Sequence, residues 1–158
     1  MALEKVFIMG LAAGIAASLP IWWACFRAGA HNAVKMSREA AWRIHIAFGD
    51  FALIFGLVHG VQVGVAGVDI SSSVFFVLGL VGLILMFLGV SVTVLNHAQL
   101  ISYDTWKMLH FMSMLGYVLA LVHMIDHAVK FNTARSWAVT GLNILALVVF
   151  IGQKVYVK

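Results

Sequence analysis

The chain has 158 residues, of which 63% are hydrophobic and 10% charged, and its mean hydropathy is +1.04. A soluble domain averages about 45–50% apolar and about 25% charged residues, so this composition excludes a soluble enzyme, a disordered chain and a nucleic-acid-binding module. The net charge of +4 is then best explained by Lys and Arg at membrane boundaries. A single cysteine excludes a disulfide framework and a zinc or iron–sulfur site built from cysteines of one chain. The composition therefore indicates an integral membrane protein surrounded by lipid.

Five long runs with almost no charged residues mark the candidate membrane spans. A spanning helix needs roughly 20 apolar residues, and these runs lack the strict alternation of strands. They predict helices at residues 6–26, 43–66, 74–95, 107–127 and 136–154. The sequence therefore predicts one all-α domain over residues 1–158, a bundle of about five transmembrane helices.

The first run has an alternative interpretation as a cleaved signal peptide. Lys5 precedes it, and residues 28–30 (Ala-Gly-Ala) resemble a cleavage site. The uncharged run is longer than a typical signal core, and Arg27 lies immediately before the supposed site of cleavage. We therefore favour a retained first helix.

The distribution of basic residues predicts the orientation in the membrane. The segment between the first two spans carries Arg27, Lys35, Arg38 and Arg43, whereas the next loop carries only Asp69. Because cytoplasmic loops are enriched in Lys and Arg, we expect the N-terminus outside and the C-terminus in the cytoplasm. The expected location is the cytoplasmic membrane of a bacterium or archaeon.

Four histidines form two matched pairs within the second and fourth spans. His45 and His59 are 14 residues apart, and His110 and His123 are 13 residues apart. At about 1.5 Å per residue, each pair extends roughly 20 Å along its helix. Since the two spans run in the same direction, His45 is expected to face His110 near the cytoplasmic boundary. His59 is then expected to face His123 near the outer boundary.

Two facing imidazoles in an apolar bundle suit a haem iron, because the porphyrin leaves only two axial positions to the protein. A zinc or copper site would need further Cys, His or carboxylate ligands at the same depth. Asp50 is the only charged residue inside the second span, and the fourth span offers it no partner at either site. The pattern therefore predicts two b-type haems, each with two histidine ligands and stacked across the bilayer.

Helical phase supports this prediction for only one of the two pairs. Fourteen residues leave His45 and His59 about 40° apart around their helix, whereas thirteen leave His110 and His123 about 140° apart. The second pair therefore requires a local irregularity, for example near Gly116, or ligation from the flank of the helix.

Several other residues are candidates for the surroundings of the haems. Asp50 is expected either to be hydrogen-bonded as a neutral carboxyl within the bundle, or to orient an imidazole or accept protons. Asp126 and His127 are expected at a solvated helix end, or alternatively beside an acceptor, metal or quinone site. The aromatic rings expected to pack against a macrocycle belong to Phe48, Phe55, Phe111 and Tyr117. The glycines expected to admit it, or else to serve helix packing, are Gly49, Gly56, Gly60 and Gly116.

The two segments that carry the paired histidines resemble the ferric reductase-like transmembrane family. This family includes ferric-chelate reductases, NADPH oxidases and the haem-binding membrane subunit of bacterial methionine sulfoxide reductase systems. The matching segments run from His45-Ile-Ala-Phe-Gly49 to His59, and from Trp106-Lys-Met-Leu-His110 through Tyr117 to His123. The resemblance covers roughly residues 40–158. It implies that His45 and His110 bind the cytoplasmic-side haem, and that His59 and His123 bind the outer haem.

The chain also departs from the family pattern. Family members commonly have six helices and continue into a flavin- and nicotinamide-binding domain, whereas this sequence predicts five helices and contains no Gly-rich phosphate loop outside its spans. We therefore expect an electron-transfer subunit of an oxidoreductase complex, supplied by a flavin, iron–sulfur or cytochrome subunit or by a quinol. The alternatives are a quinone-linked, ferric or oxygen reductase that acts directly, and a haem-free proton or metal-ion carrier that uses Asp50 and the histidines.

Overall fold

The computed structural model describes the backbone of residues 2–156 and the side chains of residues 4–26, 35–69 and 71–155. The described chain is all-helical, with a short 3₁₀ turn at Ile70–Ser72. Its five α-helices are α1 (Ala2–Val34), α2 (Arg38–Val65), α3 (Val74–His97), α4 (Tyr103–Phe131) and α5 (Ala134–Tyr156). All five are long and apolar enough to cross a membrane. The prediction of an all-α chain with five helices able to span a membrane is confirmed, and the chain is compatible with an integral membrane protein.

The helices extend beyond most of the predicted spans because their ends are set by capping groups rather than by hydropathy. Ser37 begins α2, where its hydroxyl accepts a hydrogen bond from the backbone N–H of Ala40. Ser102 caps α4 in the same way through the N–H of Thr105, and Asn132 ends α4 with a left-handed φ of 44°. Such caps satisfy backbone groups at positions that lie outside the apolar runs.

Helix α1 is an integral part of the bundle, where it packs along α2 and α5. The indole N–H of Trp23 donates to the carbonyl of Ala41 on α2 at 2.8 Å. The amide of Gln153 on α5 donates to the carbonyl of Cys25 at 3.2 Å. The side chains of the supposed cleavage site at residues 27–30 lie outside the described residues.

A buried polar network joins α1, α4 and α5. Asn143 is fully buried, at 0% exposure, and its side-chain oxygen accepts a hydrogen bond from the Tyr117 hydroxyl at 2.9 Å. Its amide donates to the carbonyls of Gly14 at 3.0 Å and Val139 at 2.9 Å. Because an apolar environment offers no competing water, these bonds fix three helices relative to one another.

Replacing Asn143 by leucine is therefore expected to destabilise the bundle. The change leaves the carbonyl of Gly14 without its interhelical donor and the Tyr117 hydroxyl with only the backbone carbonyl of residue 143. We expect a loss of about 1–3 kcal/mol in the free energy of unfolding, measured by denaturant titration in mixed detergent micelles. Tyr117→Phe, which removes only the hydroxyl, should show a smaller loss. An unchanged unfolding midpoint for Asn143→Leu would contradict the structural role of this network.

Helices α3 and α4 approach each other along a seam of small residues. A Cβ atom added to Gly116 would lie 2.5 Å from the carbonyl oxygen of Gly82. One added to Gly89 would lie 2.6 Å from the backbone nitrogen of Ser113. This close contact brings carbonyl groups of α3 within reach of α4 side chains. Because α4 continues as α-helix through Gly116, the irregularity suggested by the histidine spacing is not present there.

The two helices that carry the paired histidines are separated in the bundle. The extensive packing is between α1 and α2 and between α3 and α4, whereas α2 and α4 make at most slight backbone contact. Helix α5 packs against α1 and α4 and joins the two helix pairs. The arrangement leaves space between α2 and α4, which is where the histidine side chains lie.

Candidate functional site

A cavity of about 560 Å³ lies between the two helix pairs, and all five helices contribute to its walls. Its volume falls in the range of about 300–1,000 Å³ typical of ligand sites. The lining is predominantly apolar, and its polar side chains are His59, His123, His127, Ser136 and Thr140. The cavity therefore offers a predominantly apolar space with imidazoles contributed by both α2 and α4.

The two paired histidines of α4 are held in the same way by α3. The Nδ1 of His123 lies 2.9 Å from the carbonyl oxygen of Phe75, and the Nδ1 of His110 lies 2.9 Å from that of Gly89. Because a carbonyl only accepts, each Nδ1 must carry a proton and donate it, and in the neutral imidazole this leaves Nε2 with a free lone pair. Histidines that bind metals are commonly oriented by this kind of hydrogen bond.

The imidazoles of the cavity rest on glycines of neighbouring helices. A Cβ atom at Gly10 of α1 would lie 3.0 Å from the ring of His59, and one at Gly79 of α3 would lie 2.9 Å from the ring of His123. The buried Nδ1 of His59 has no hydrogen bond of good geometry within the described chain, although the ring interacts electrostatically with the backbone of Val6 and with His123. A glycine therefore lies against each of these two imidazoles. The Nδ1 of His59 has no hydrogen-bond partner of good geometry among the described residues.

His127 lies on the wall of the same cavity. Its ring meets that of His123 edge-on, with 4.5 Å between centroids, and packs against Phe76 at 5.6 Å and Phe131 at 5.3 Å. The ring of His127 is thus half-buried among other rings at the cavity wall. One side of the last turns of α4 borders the cavity, through His127 and Phe131.

The two acidic residues singled out from the sequence lie outside the cavity. Asp126 forms an ion pair with Lys130 at 2.8 Å. Asp50 is exposed on the outer surface of α2, and no hydrogen bond or ion pair joins it to the described part of the chain. Among the described residues, Asp50 therefore neither orients an imidazole nor bonds within the bundle.

The second pair of histidines is close together and surrounded by tryptophans. The ring centroids of His45 and His110 are 6.3 Å apart. An imidazole nitrogen lies about 2 Å from a metal that it binds, so two rings on opposite sides of one metal ion have centroids roughly 6 Å apart. Trp106 stacks on His110 at 5.1 Å, Trp42 lies 5.9 Å from His45, and the two indoles meet at 5.7 Å. The spacing suits two axial ligands, but a macrocycle between them would have to displace the contact between the indoles.

The aromatic residues expected to pack on a macrocycle are placed elsewhere. The cavity wall contains none of the four residues that were named for this role, which are Phe48, Phe55, Phe111 and Tyr117. Tyr117 instead reaches the buried network at Asn143, and Phe111 faces outward with 68% of its surface exposed. Gly56 and Gly60, which were among the expected glycines, do line the cavity.

Within the described residues, no group of three or more His, Cys, Asp or Glu side chains is placed to hold a metal ion. Comparison with protein-family models, curated proteins and solved structures gives no match for this chain. The resemblance to ferric reductase-like proteins therefore stays a prediction from the spacing and local context of the histidines.

Proposed function

We propose that this chain is a membrane cytochrome b subunit that relays electrons across the bilayer, between a cytoplasmic-side partner and an outer-side acceptor. One observation carries the proposal. His59 of α2 and His123 of α4 line one apolar cavity, and a hydrogen bond to Phe75 leaves the Nε2 of His123 available as a ligand.

The residues of the cavity fit a flat, apolar macrocycle with an iron centre. Gly56 and Gly60 on α2 and Gly79 on α3 line the cavity, where they let Leu83 and the His123 ring pack closely against the helix backbones. The rest of the lining is predominantly apolar. Haem bound by two histidines supplies one-electron transfer at such a buried site. The protein's part is to hold the two imidazoles in position through the Phe75 carbonyl and the glycine contact at Gly10.

A relay across the membrane needs a second site at another depth, which we assign to His45 and His110. His45 precedes His59 by 14 residues on α2, so the two sites are separated by roughly 20 Å along the helix. The hydrogen bond from His110 to Gly89 repeats the one at His123, which supports the same role for both histidines. Occupation of this site requires Trp42 and Trp106 to separate.

The proposed orientation places the His45 end of the bundle at the cytoplasmic side, since Arg38 and Arg43 begin α2 there. Electrons would enter from, or leave to, another redox subunit with a flavin, an iron–sulfur cluster or a haem. A bacterial or archaeal cytoplasmic membrane is the proposed location.

The proposal is tested on the purified full chain. We expect a b-type reduced-minus-oxidised spectrum with two haems per chain. In vesicles that enclose ferricyanide, we expect added dithionite to reduce the enclosed ferricyanide at least tenfold faster than in vesicles without protein. His45→Ala should abolish this transfer because it removes one site of the relay. A purified chain without haem, or transfer equal to that of protein-free vesicles, would refute the proposal.

A further inference from the structure

Asp50 occupies an unusual place for a carboxyl group. It lies twelve residues after Arg38 and fifteen before Val65, near the middle of α2, and its side chain is exposed on the outer surface of the bundle. Among the described residues, no other exposed ionisable side chain lies so far from both ends of its helix. In a bilayer this position is surrounded by lipid, where an ionisable group is costly unless another group pairs with it.

The surroundings of Asp50 form a continuous exposed face. Helix α2 packs on α1 and, to a lesser extent, on α3, which leaves one side of the helix uncovered. Residues spaced by three or four positions line this side, and we call them the Asp50 stripe: Arg43, Ala47, Asp50, Ile54, Leu57, Val61 and Val65. At Gly49, beside the stripe, an added Cβ atom would meet nothing within 4 Å. The methyl group of Ala47 and the absence of a side chain at Gly49 would let another helix approach closely at the depth of Asp50.

We propose that the Asp50 stripe docks a transmembrane helix of another subunit, and that this helix places a Lys or Arg side chain against Asp50. Charge complementarity identifies the chemistry of the partner. A carboxylate in lipid is best satisfied by a cation, and the described chain supplies none to it.

A second copy of the chain fits the stripe less well. A two-fold symmetric dimer brings the same patch of each copy together, so Asp50 would face the Asp50 of its partner and the two carboxylates would repel each other. The basic residue of the stripe, Arg43, lies about 10 Å away along the helix and is already paired with Glu39 at 2.6 Å.

The stripe also borders the cavity. Leu57 and Val61 belong to both, and they are 42% and 65% exposed. A helix seated on the stripe would therefore cover this edge of the cavity as well as neutralise Asp50. The inference depends on the bundle spanning a membrane and not on haem binding, so its test is separate from that of the proposed function.

The test uses the full chain in phosphatidylcholine vesicles, with a fluorescent donor at its C-terminus. The probe is a synthetic Leu/Ala helix of about 20 residues, with an acceptor dye and one central Lys. We expect energy transfer between chain and probe. Association should be roughly tenfold weaker when the central Lys is Leu, or when the chain carries Asp50→Leu.

Asp104→Asn is the matched control, because it removes an exposed carboxylate in the first turn of α4, away from the stripe, and it should leave association unchanged. Asp50→Glu should retain association. Equal association of the Lys and Leu probes with the unmodified chain would overturn the proposal. So would self-association, without any probe, that disappears in Asp50→Leu, since it would assign the stripe to a second copy.

Discussion

Replacing His123 by alanine is expected to lower the haem content from two to one per chain. The imidazole of His123 is the proposed α4 ligand in the cavity, and its Nδ1 donates to the Phe75 carbonyl at 2.9 Å, so that Nε2 faces away from this bond. Alanine offers no ligand, and the released Phe75 carbonyl loses its side-chain donor. The site at His45 and His110 should keep its haem, because its rings lie at another depth. Haem extracted per mole of chain measures the change.

Three further variants make this measurement decisive. His97→Ala removes an exposed imidazole at the end of α3 and should leave both haems in place. His123→Gly should regain the second haem when imidazole is added, because the small ligand can occupy the space of the lost ring. His127 lies 4.5 Å from His123, so His127→Ala is measured alongside and should retain two haems. Two haems in His123→Ala, or one in His127→Ala, would show that the ligand assignment is wrong.

Gly116→Ala is expected to destabilise the bundle by about 1–3 kcal/mol and to weaken haem retention at both sites. The new Cβ atom would lie 2.5 Å from the carbonyl oxygen of Gly82 and 2.8 Å from the backbone nitrogen of Met86. These are backbone atoms, so the overlap can be relieved only by moving α3 away from α4. That movement would lengthen the hydrogen bonds by which α3 orients His110 and His123.

Gly141→Ala provides the matched control, since Gly141 is exposed on α5 and an added Cβ atom meets nothing within 4 Å. Alanine has the higher helix propensity, by about 1 kcal/mol, so this variant should be as stable as the unmodified chain or slightly more stable. Unfolding midpoints in detergent and the rate of haem loss to apomyoglobin compare the two variants. Equal unfolding midpoints and equal rates of haem loss in the two variants would mean that the close contact of glycines with backbone does not hold α3 and α4 together.

The spanning helices could be predicted from the sequence because lipid imposes a simple requirement on them. A run of about 20 apolar residues bounded by charged residues has few alternatives to a transmembrane helix. Four of the five predicted spans lie within the observed helices, and the second ends one residue beyond α2. The four histidines could be singled out for a related reason. Ionisable groups are rare in such runs, so the histidines stand out. The distance between the histidines along each helix follows from the rise per residue.

The direction of individual side chains could not be predicted in the same way. In a soluble helix the polar face identifies the side turned towards water, but in a membrane both the packed face and the lipid face are apolar. Tyr117 was therefore expected at a macrocycle and instead bonds to Asn143. His127 was expected in solvent and lines the cavity, and Asp50 was expected inside and faces outward.

The sequence by itself determined the number of spanning helices and the two depths at which histidines lie, because both follow from hydropathy and from distance along the chain. Only the tertiary structure decided which groups surround those histidines. The carbonyls of Phe75 and Gly89 reach them because α3 and α4 pack glycine against backbone, and Gly10 meets His59 because α1 folds back along α2. These contacts join residues far apart in the chain, and no local pattern of apolar residues specifies them.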